Sequence, residues 1–240
     1  MKKLIIGAVI WGLTAGLSFA DGHSVVRMGT EGAYPPWNYV DDNGEVAGFE
    51  RELGDELCKR AELNCEWVIN DWDSIIPNLV SGNYDTIIAG MSITDERQEK
   101  IDFTSNYTQP DPSSYVAASE GANLSGGIIA AQSNTIQAAY IAGTGATLVE
   151  FATPEETISA VKNGEADAVL ADTSYLNPIV AEDSGLIFVG DKVLIGGGVG
   201  MGIRKSDADL RDKFTAAINS MKADGTLNAL IVKHEIGETF

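Results

Sequence analysis

The stretch AGMSITDERQEKIDF, residues 89–103, gathers a glycine (Gly90), a hydroxyl (Ser92) and an arginine (Arg97) where the apolar run DTIIAG breaks off. A guanidinium offers two parallel N–H donors that match a planar carboxylate. Carbonyl and hydroxyl oxygens beside it accept hydrogen bonds from an ammonium. The chemistry suggested is recognition of a small charged molecule. Taken alone, Arg97 reads more simply as one charge on a solvated helix face, where most arginines lie.

Other reactive constellations are scarce. Two cysteines, Cys58 and Cys65, and two histidines, His23 and His234, make no plausible zinc set. No Ser/His/Asp set and no clearly positioned acid/base pair stands out. The glycine-rich GGGVGMG, residues 196–202, fits neither dinucleotide nor P-loop spacing and lacks the following Lys-Ser/Thr. Its glycines read better as permissive backbone in a crossover between two lobes. No metal and no cofactor is expected.

The elements that would position Arg97 alternate along the chain. VVRMGT reads as a strand, followed by a helix from about Phe49 with Leu53 and Leu57 on its apolar face and Glu, Arg and Asp hydrated opposite. CEWVIN, DSIIPNLV and DTIIAG continue as strand, short helix and strand, a β-α-β-α-β unit that implies a parallel, doubly wound sheet. TQPDPSS, residues 108–114, interrupts the pattern, which restarts with SYVAAS, IIAAQ, a helix after Ser133-Asn134-Thr135, TLVEF, a helix after TPEE and DAVLAD. Thr153, Pro154 and Glu156 are a capping-box helix start. Two terminal helices begin at Ser206.

LVSGNYDTIIAGMS (79–92) superposes without a gap on VKNGEADAVLADTS (161–174), pairing Gly82 with Gly164, Asp85 with Asp167 and Gly90 with Asp172. Two similarly built lobes are one reading, and the common grammar of α/β proteins is the other. If the repeat holds, Gly90 and Asp172 sit at equivalent strand ends, where open α/β sheets bind ligands.

Residues 1–20 open with Lys2 and Lys3, continue apolar from Leu4 to about Leu17 and close with Ser18-Phe19-Ala20, a secretory leader with cleavage expected after Ala20. No later apolar run is long enough for a membrane span, so the exported remainder is expected to be soluble. The 240-residue chain carries a net charge of −19, and the leader contributes only positive charge, which makes nucleic acid and anionic membranes poor partners. Export favours a disulfide between Cys58 and Cys65 over two buried thiols.

GTEGAYPPWNY, GFERELGDELCKR, WDSIIPNL, IIAGMSITDERQEKIDF, GEADAVLAD and VGMGIRKSDADLRDKFTAAINSMKADGT together resemble the extracytoplasmic solute-binding proteins of polar amino-acid ABC transporters. The lysine/arginine/ornithine- and histidine-binding members are the most similar in pattern. The resemblance spans essentially all of residues 21–240 and is weakest over residues 105–150. It implies an α/β fold of two doubly wound lobes joined by a two-strand hinge, of the periplasmic binding protein type II. Lobe 1 is expected to comprise residues 21–110 and 199–240, and lobe 2 residues 111–198.

The resemblance also implies roles. Arg97 would fork the ligand carboxylate, joined by the helix start at Asn134 and Thr135. The Gly90 carbonyl, the Ser92 hydroxyl and Asp172 would hold the ammonium, while Tyr34 and Trp72 would stack along the side chain. Glu31 stands where binders of basic amino acids commonly carry an aspartate for the distal cation, so a basic ligand is expected ahead of glutamine or histidine. Without the resemblance, Asp172 and Thr135 read as helix caps, and Tyr34 and Trp72 as packing aromatics. One departure stands out: GGIIAAQSNT puts Ser133 where many members have glycine and Asn134 at the first hydroxyl.

The expected function is capture of a polar amino acid by hinge closure in the periplasm, as a monomer, and delivery to the permease of an ABC transporter. A binder of glutamine or another neutral polar amino acid is the variant reading. A cyclohexadienyl dehydratase-like enzyme of the same fold is a second class. A sensory module is disfavoured, since the sequence runs to Phe240 with no appended span.

Overall fold

The computed structural model describes residues 25–240. The leader, its cleavage point and His23 lie outside the described residues. In chain order the strands are β1 (Val26–Thr30), β2 (Ala33–Tyr34), β3 (Asn38–Val40), β4 (Val46–Ala47), β5 (Cys65–Ile69), β6 (Thr86–Ile87) and β7 (Asp102–Phe103). They continue with β8 (Ser113–Ala117), β9 (Ile128–Gln132), β10 (Thr147–Phe151), β11 (Ala168–Asp172), β12 (Ile187–Val193) and β13 (Gly202–Ile203). The helices are α1 (Phe49–Arg60), α2 (Ile75–Val80), α3 (Asp95–Lys100), α4 (Ile136–Ala142), α5 (Pro154–Lys162), α6 (Thr173–Glu182), α7 (Ala208–Asp224) and α8 (Thr226–Lys233). None is long and apolar enough to cross a membrane.

Two five-stranded sheets, ordered β5-β1-β6-β13-β7 and β10-β9-β11-β8-β12, build two lobes, and a three-stranded ribbon β2-β3-β4 adjoins α1. The expected parallel pairing holds for β5-β1-β6 and for β10-β9-β11. Each sheet is nevertheless mixed. β13 runs antiparallel to β6 and β7, and β8 antiparallel to β11 and β12. The reason is connectivity: β8 and β13 follow the interlobe crossings, so they enter each sheet from the end at which its parallel strands finish. Asp172, last in β11, therefore pairs with Ser113, first in β8.

The chain leaves the first sheet after Phe103 and returns at Gly202. The two crossings are bonded to one another, Tyr107 N to Val199 O at 2.7 Å and Thr104 N to Met201 O at 3.0 Å. Gly198 lies at φ 92°, and a Cβ there would stand 2.8 Å from the Thr108 carbonyl oxygen. Only glycine fits that approach, which is what the glycine cluster supplies.

The superposed segments do the same local work in each lobe. Asp85 N donates to Arg27 O (2.8 Å) and Asp85 Oδ2 accepts from Arg27 N (2.9 Å). Asp167 N donates to Ile128 O (2.8 Å) and Asp167 Oδ2 accepts from Ile128 N (2.7 Å). Gly82 and Gly164 turn the preceding helices at φ 82° and 74°. The strands differ in length. DTIIAG is strand only over Thr86–Ile87, whereas its counterpart runs to Asp172 because β8 pairs alongside it.

Phe49, Leu53 and Leu57 of α1 are fully buried, as their spacing requires. Glu50 corrects the expectation of a wholly hydrated acidic face, for it too is fully buried. It lies three residues before Leu53, on the same stripe, and its carboxylate accepts from Gly90 N (2.7 Å), Asn38 Nδ2 (2.7 Å) and the Tyr107 hydroxyl. The capping box at α5 forms as expected, with Thr153 N to Glu156 Oε2 at 3.0 Å and Glu156 N to Thr153 Oγ1 at 3.3 Å. The terminal pair begins one residue later than expected, with Asp207 rather than Ser206 at the N-cap of α7.

Cys58, near the end of α1, is bonded to Cys65, which opens β5, with 6.2 Å between their Cα atoms. The bridge closes a short loop in the unfolded chain, which corresponds to roughly 2 to 3 kcal/mol of stabilisation in the chain-entropy account. Reduction is expected to lower the melting temperature of the ligand-free protein by several degrees, read by calorimetry with and without reductant. Two titratable thiols in denatured, unreduced protein would contradict the pairing.

Candidate ligand-binding site

Between the lobes lies a cavity, partly open to solvent and lined by residues that include Glu31, Tyr34, Trp72, Gly90, Ser92, Arg97, Thr135 and Asp172. Eight of the nine residues singled out in the sequence thus meet at one place. Asn134 does not line it.

Arg97 reaches the cavity because Thr94 caps α3 and accepts from Arg97 N at 3.2 Å, which fixes the arginine in the first helical turn. Its Nη1 donates to Ser92 O (2.9 Å), its Nη2 to Asn134 O (3.3 Å), and the guanidinium lies 5.3 Å from the Trp72 ring centroid. Arg97 is only 9% exposed, and among the described residues no carboxylate stands within salt-bridge distance of it. Burial pulls its pKa down to about 10, with Asp172 pulling the other way. A buried cation whose only hydrogen-bond partners are carbonyls has room for an anion.

Asp172 ends β11 at the N-cap position of α6, yet its side chain makes no capping bond. It faces the cavity instead. Oδ1 accepts from Gln137 Nε2 (2.7 Å) and Oδ2 from the Tyr34 hydroxyl (3.0 Å), which accepts in turn from Asp172 N (3.3 Å). Burial, reinforced by nearby Asp111, pushes the Asp172 carboxyl up to about 7. Glu31 follows β1; its Oε1 accepts from Gln132 Nε2 at 2.5 Å, and burial pushes it up to about 7. Neither carboxylate has a cationic partner among the described residues.

Gly90 turns at φ 59°, held by the hydrogen bond its backbone N–H donates to Glu50, and Ser92 bridges Val199 of the return crossing. Tyr34 does more than line the cavity: its ring stacks on Tyr175 of the second lobe at 4.3 Å and 9°. The Thr135 hydroxyl caps α4, accepting from Ala138 N (3.1 Å) and donating to Gln132 O (2.6 Å), so the capping reading is correct for that group while the residue still borders the cavity.

Several participants carried no sequence signal as single residues. Gln132 and Gln137 orient the two carboxylates, and Glu50 anchors Gly90. Trp37 Nε1 donates to Ser174 Oγ (2.7 Å), which donates to Asp111 Oδ2 (2.6 Å), linking first lobe, second lobe and crossing. Only the burial stripe of α1 could have exposed Glu50. The glutamines are recognisable only once their strands and helices are placed. No group of three or more potential metal ligands occurs among the described residues.

Known proteins are similar to this chain over most of its length. The lysine/arginine/ornithine-binding periplasmic protein of Escherichia coli K12 is 33% identical over 256 aligned residues, covering 98% of this chain and 97% of the relative. The L-arginine-binding protein of Pseudomonas aeruginosa is 33% identical over 244, covering 94% and 93%. A crystal structure of a periplasmic His/Glu/Gln/Arg/opine family-binding protein from Silicibacter pomeroyi, in complex with lysine, is 76% identical with a TM-score of 0.86, covering 87% of this chain and 96% of that one. Residues 26–237 match the bacterial extracellular solute-binding proteins, family 3, and the chain belongs to that family.

Proposed function

We propose that the protein binds a basic L-amino acid in the interlobe cavity, without turnover, and presents it to the permease of an ABC transporter. Arg97 takes the ligand carboxylate. Asp172, with the Gly90 carbonyl and the Ser92 hydroxyl, takes the α-ammonium. Glu31 takes the distal cation, and Trp72 and Tyr34 border the aliphatic stem. The observation that carries this reading is charge: the cavity holds one guanidinium and two carboxylates, none paired with an opposite charge among the described residues. Lysine or arginine brings one carboxylate and two cations, so the complex is neutral and every buried charge gains a partner. A neutral amino acid leaves Glu31 without one. The names and the bound lysine of the relatives support the same ligand class.

Ligand groups bonded to both lobes stabilise only the shut arrangement, which is how binding drives closure. Export to the periplasm and action as a monomer complete the proposal. A calorimetric panel of lysine, ornithine, arginine, histidine, glutamine and glutamate tests it. Basic amino acids are expected to bind best, and Glu31→Gln to shrink their advantage over glutamine by about tenfold or more. Tightest binding of glutamate, or an unchanged preference in Glu31→Gln, defeats the assignment of Glu31. Consumption of a prephenate-like acid defeats the binding-only reading.

A further inference from the structure

Asp73 follows Trp72 in the 3-10 turn of the first lobe and stands outside the cavity lining. Its Oδ1 accepts from two residues of the second lobe, Ser133 Oγ at 2.6 Å and Asn134 Nδ2 at 2.8 Å. Asn134 sits at φ 57°, a left-handed conformation that asparagine tolerates better than most residues. In that conformation its carbonyl meets Arg97 Nη2 while its side-chain amide meets Asp73. One residue thus joins the cavity guanidinium to a carboxylate at the cleft edge.

We infer that Asp73, Ser133 and Asn134 form an interlobe latch that sets affinity without touching ligand, so that Asp73 is a positioning residue for closure. The inference rests on the ligand-driven closure proposed above. The bonds exist only when the lobes meet, so they stabilise the shut state alone. Every ligand that drives closure gains from them by the same factor. Asp73 and Asn134 are exposed, so each bond is individually weak, but two donors on one charged oxygen act together. Selectivity stays with Glu31, Arg97 and Asp172.

The test pairs calorimetry with lysine, ornithine and arginine with an interlobe distance measured between spin labels at the exposed positions Asp42 and Glu182. Asp73→Ala is expected to weaken all three ligands by a common factor of about tenfold, leaving their order intact. Asp73→Asn keeps the accepting oxygen and is expected to lose less than about threefold. Ser133→Ala added to Asp73→Ala is expected to cost less than it does in the wild type, because the two share one contact. The ligand-free distance distribution of Asp73→Ala shifts toward the open form. Unequal losses among the ligands would make Asp73 a direct contact and overturn the inference, as would undiminished affinity or strict additivity. Should none of the three bind wild type, the proposed ligand class fails, and the distance measurement decides the latch: an unchanged distribution in Asp73→Ala overturns it.

Discussion

Arg97→Ala is expected to raise the dissociation constant for the preferred amino acid by about 30-fold to several thousandfold, because truncating one side of a buried charge pair costs roughly 2 to 5 kcal/mol. The free protein has little to lose. The guanidinium bonds only the carbonyls of Ser92 and Asn134 and lies near Trp72, so its removal relieves a desolvated charge as well as deleting two bonds. The melting temperature of the empty variant is therefore expected to stay near that of wild type, while the ligand-induced rise in melting temperature disappears. Arg97→Lys keeps the charge but not the two-pronged geometry, and is expected to fall between wild type and alanine. An unchanged dissociation constant in folded Arg97→Ala would remove Arg97 from the site.

Asp172→Asn is expected to weaken binding about 100-fold, since the α-ammonium then meets an amide where it needs a countercharge. The same residue gives the pH dependence. In the empty, shut form Glu31 and Asp172 both titrate near 7, raised by burial. Raised carboxyl pKa values stabilise that form fully below the ordinary carboxylate range, and the contribution is lost as pH rises through about 7. A ligand with two cations needs both groups ionised, so binding to that form expels protons, and its affinity falls as pH drops below about 7. The slope of log Kd against pH approaches about −2 below that point in the wild type, and about −1 in Asp172→Asn, where a single carboxyl remains to titrate. Calorimetry from pH 5.5 to 8 in buffers of different ionisation enthalpy reads both the slope and the proton release. Affinity that is flat with pH, or that improves on acidification, contradicts the assigned charges.

Much of the molecule is legible in its sequence, for identifiable reasons. The stripe of Phe49, Leu53 and Leu57 specifies α1, and Thr153, Pro154 and Glu156 specify the start of α5, because helix period and capping are properties of a few consecutive residues. The repeat of Gly82 and Asp85 in Gly164 and Asp167 is legible because each pair performs the same task in its own lobe, a turn followed by attachment to the neighbouring strand. Arg97 and Asp172 stand out in sequence through the resemblance to a known family; taken alone they read as a solvated charge and a helix cap, and neither can be assigned a partner from composition.

What tertiary structure decided is everything that depends on two distant segments meeting. Glu50 looks like surface charge until Gly90, Asn38 and Tyr107 close over it, and Gln132 and Gln137 look like ordinary polar residues until they face Glu31 and Asp172. The antiparallel entry of β8 and β13 follows from where the crossings lie, which local propensity does not encode. The raised carboxyls and the lowered guanidinium exist only because the lobes shut water away from them, a consequence of burial and not of residue type. By itself, then, the sequence determined the local elements, the α/β class and the residue types available to meet a charged ligand, with two lobes implied by resemblance. Only the assembled lobes decided which of those residues share a cavity, because desolvation and hydrogen-bond geometry act between atoms brought together in space, whatever their separation along the chain.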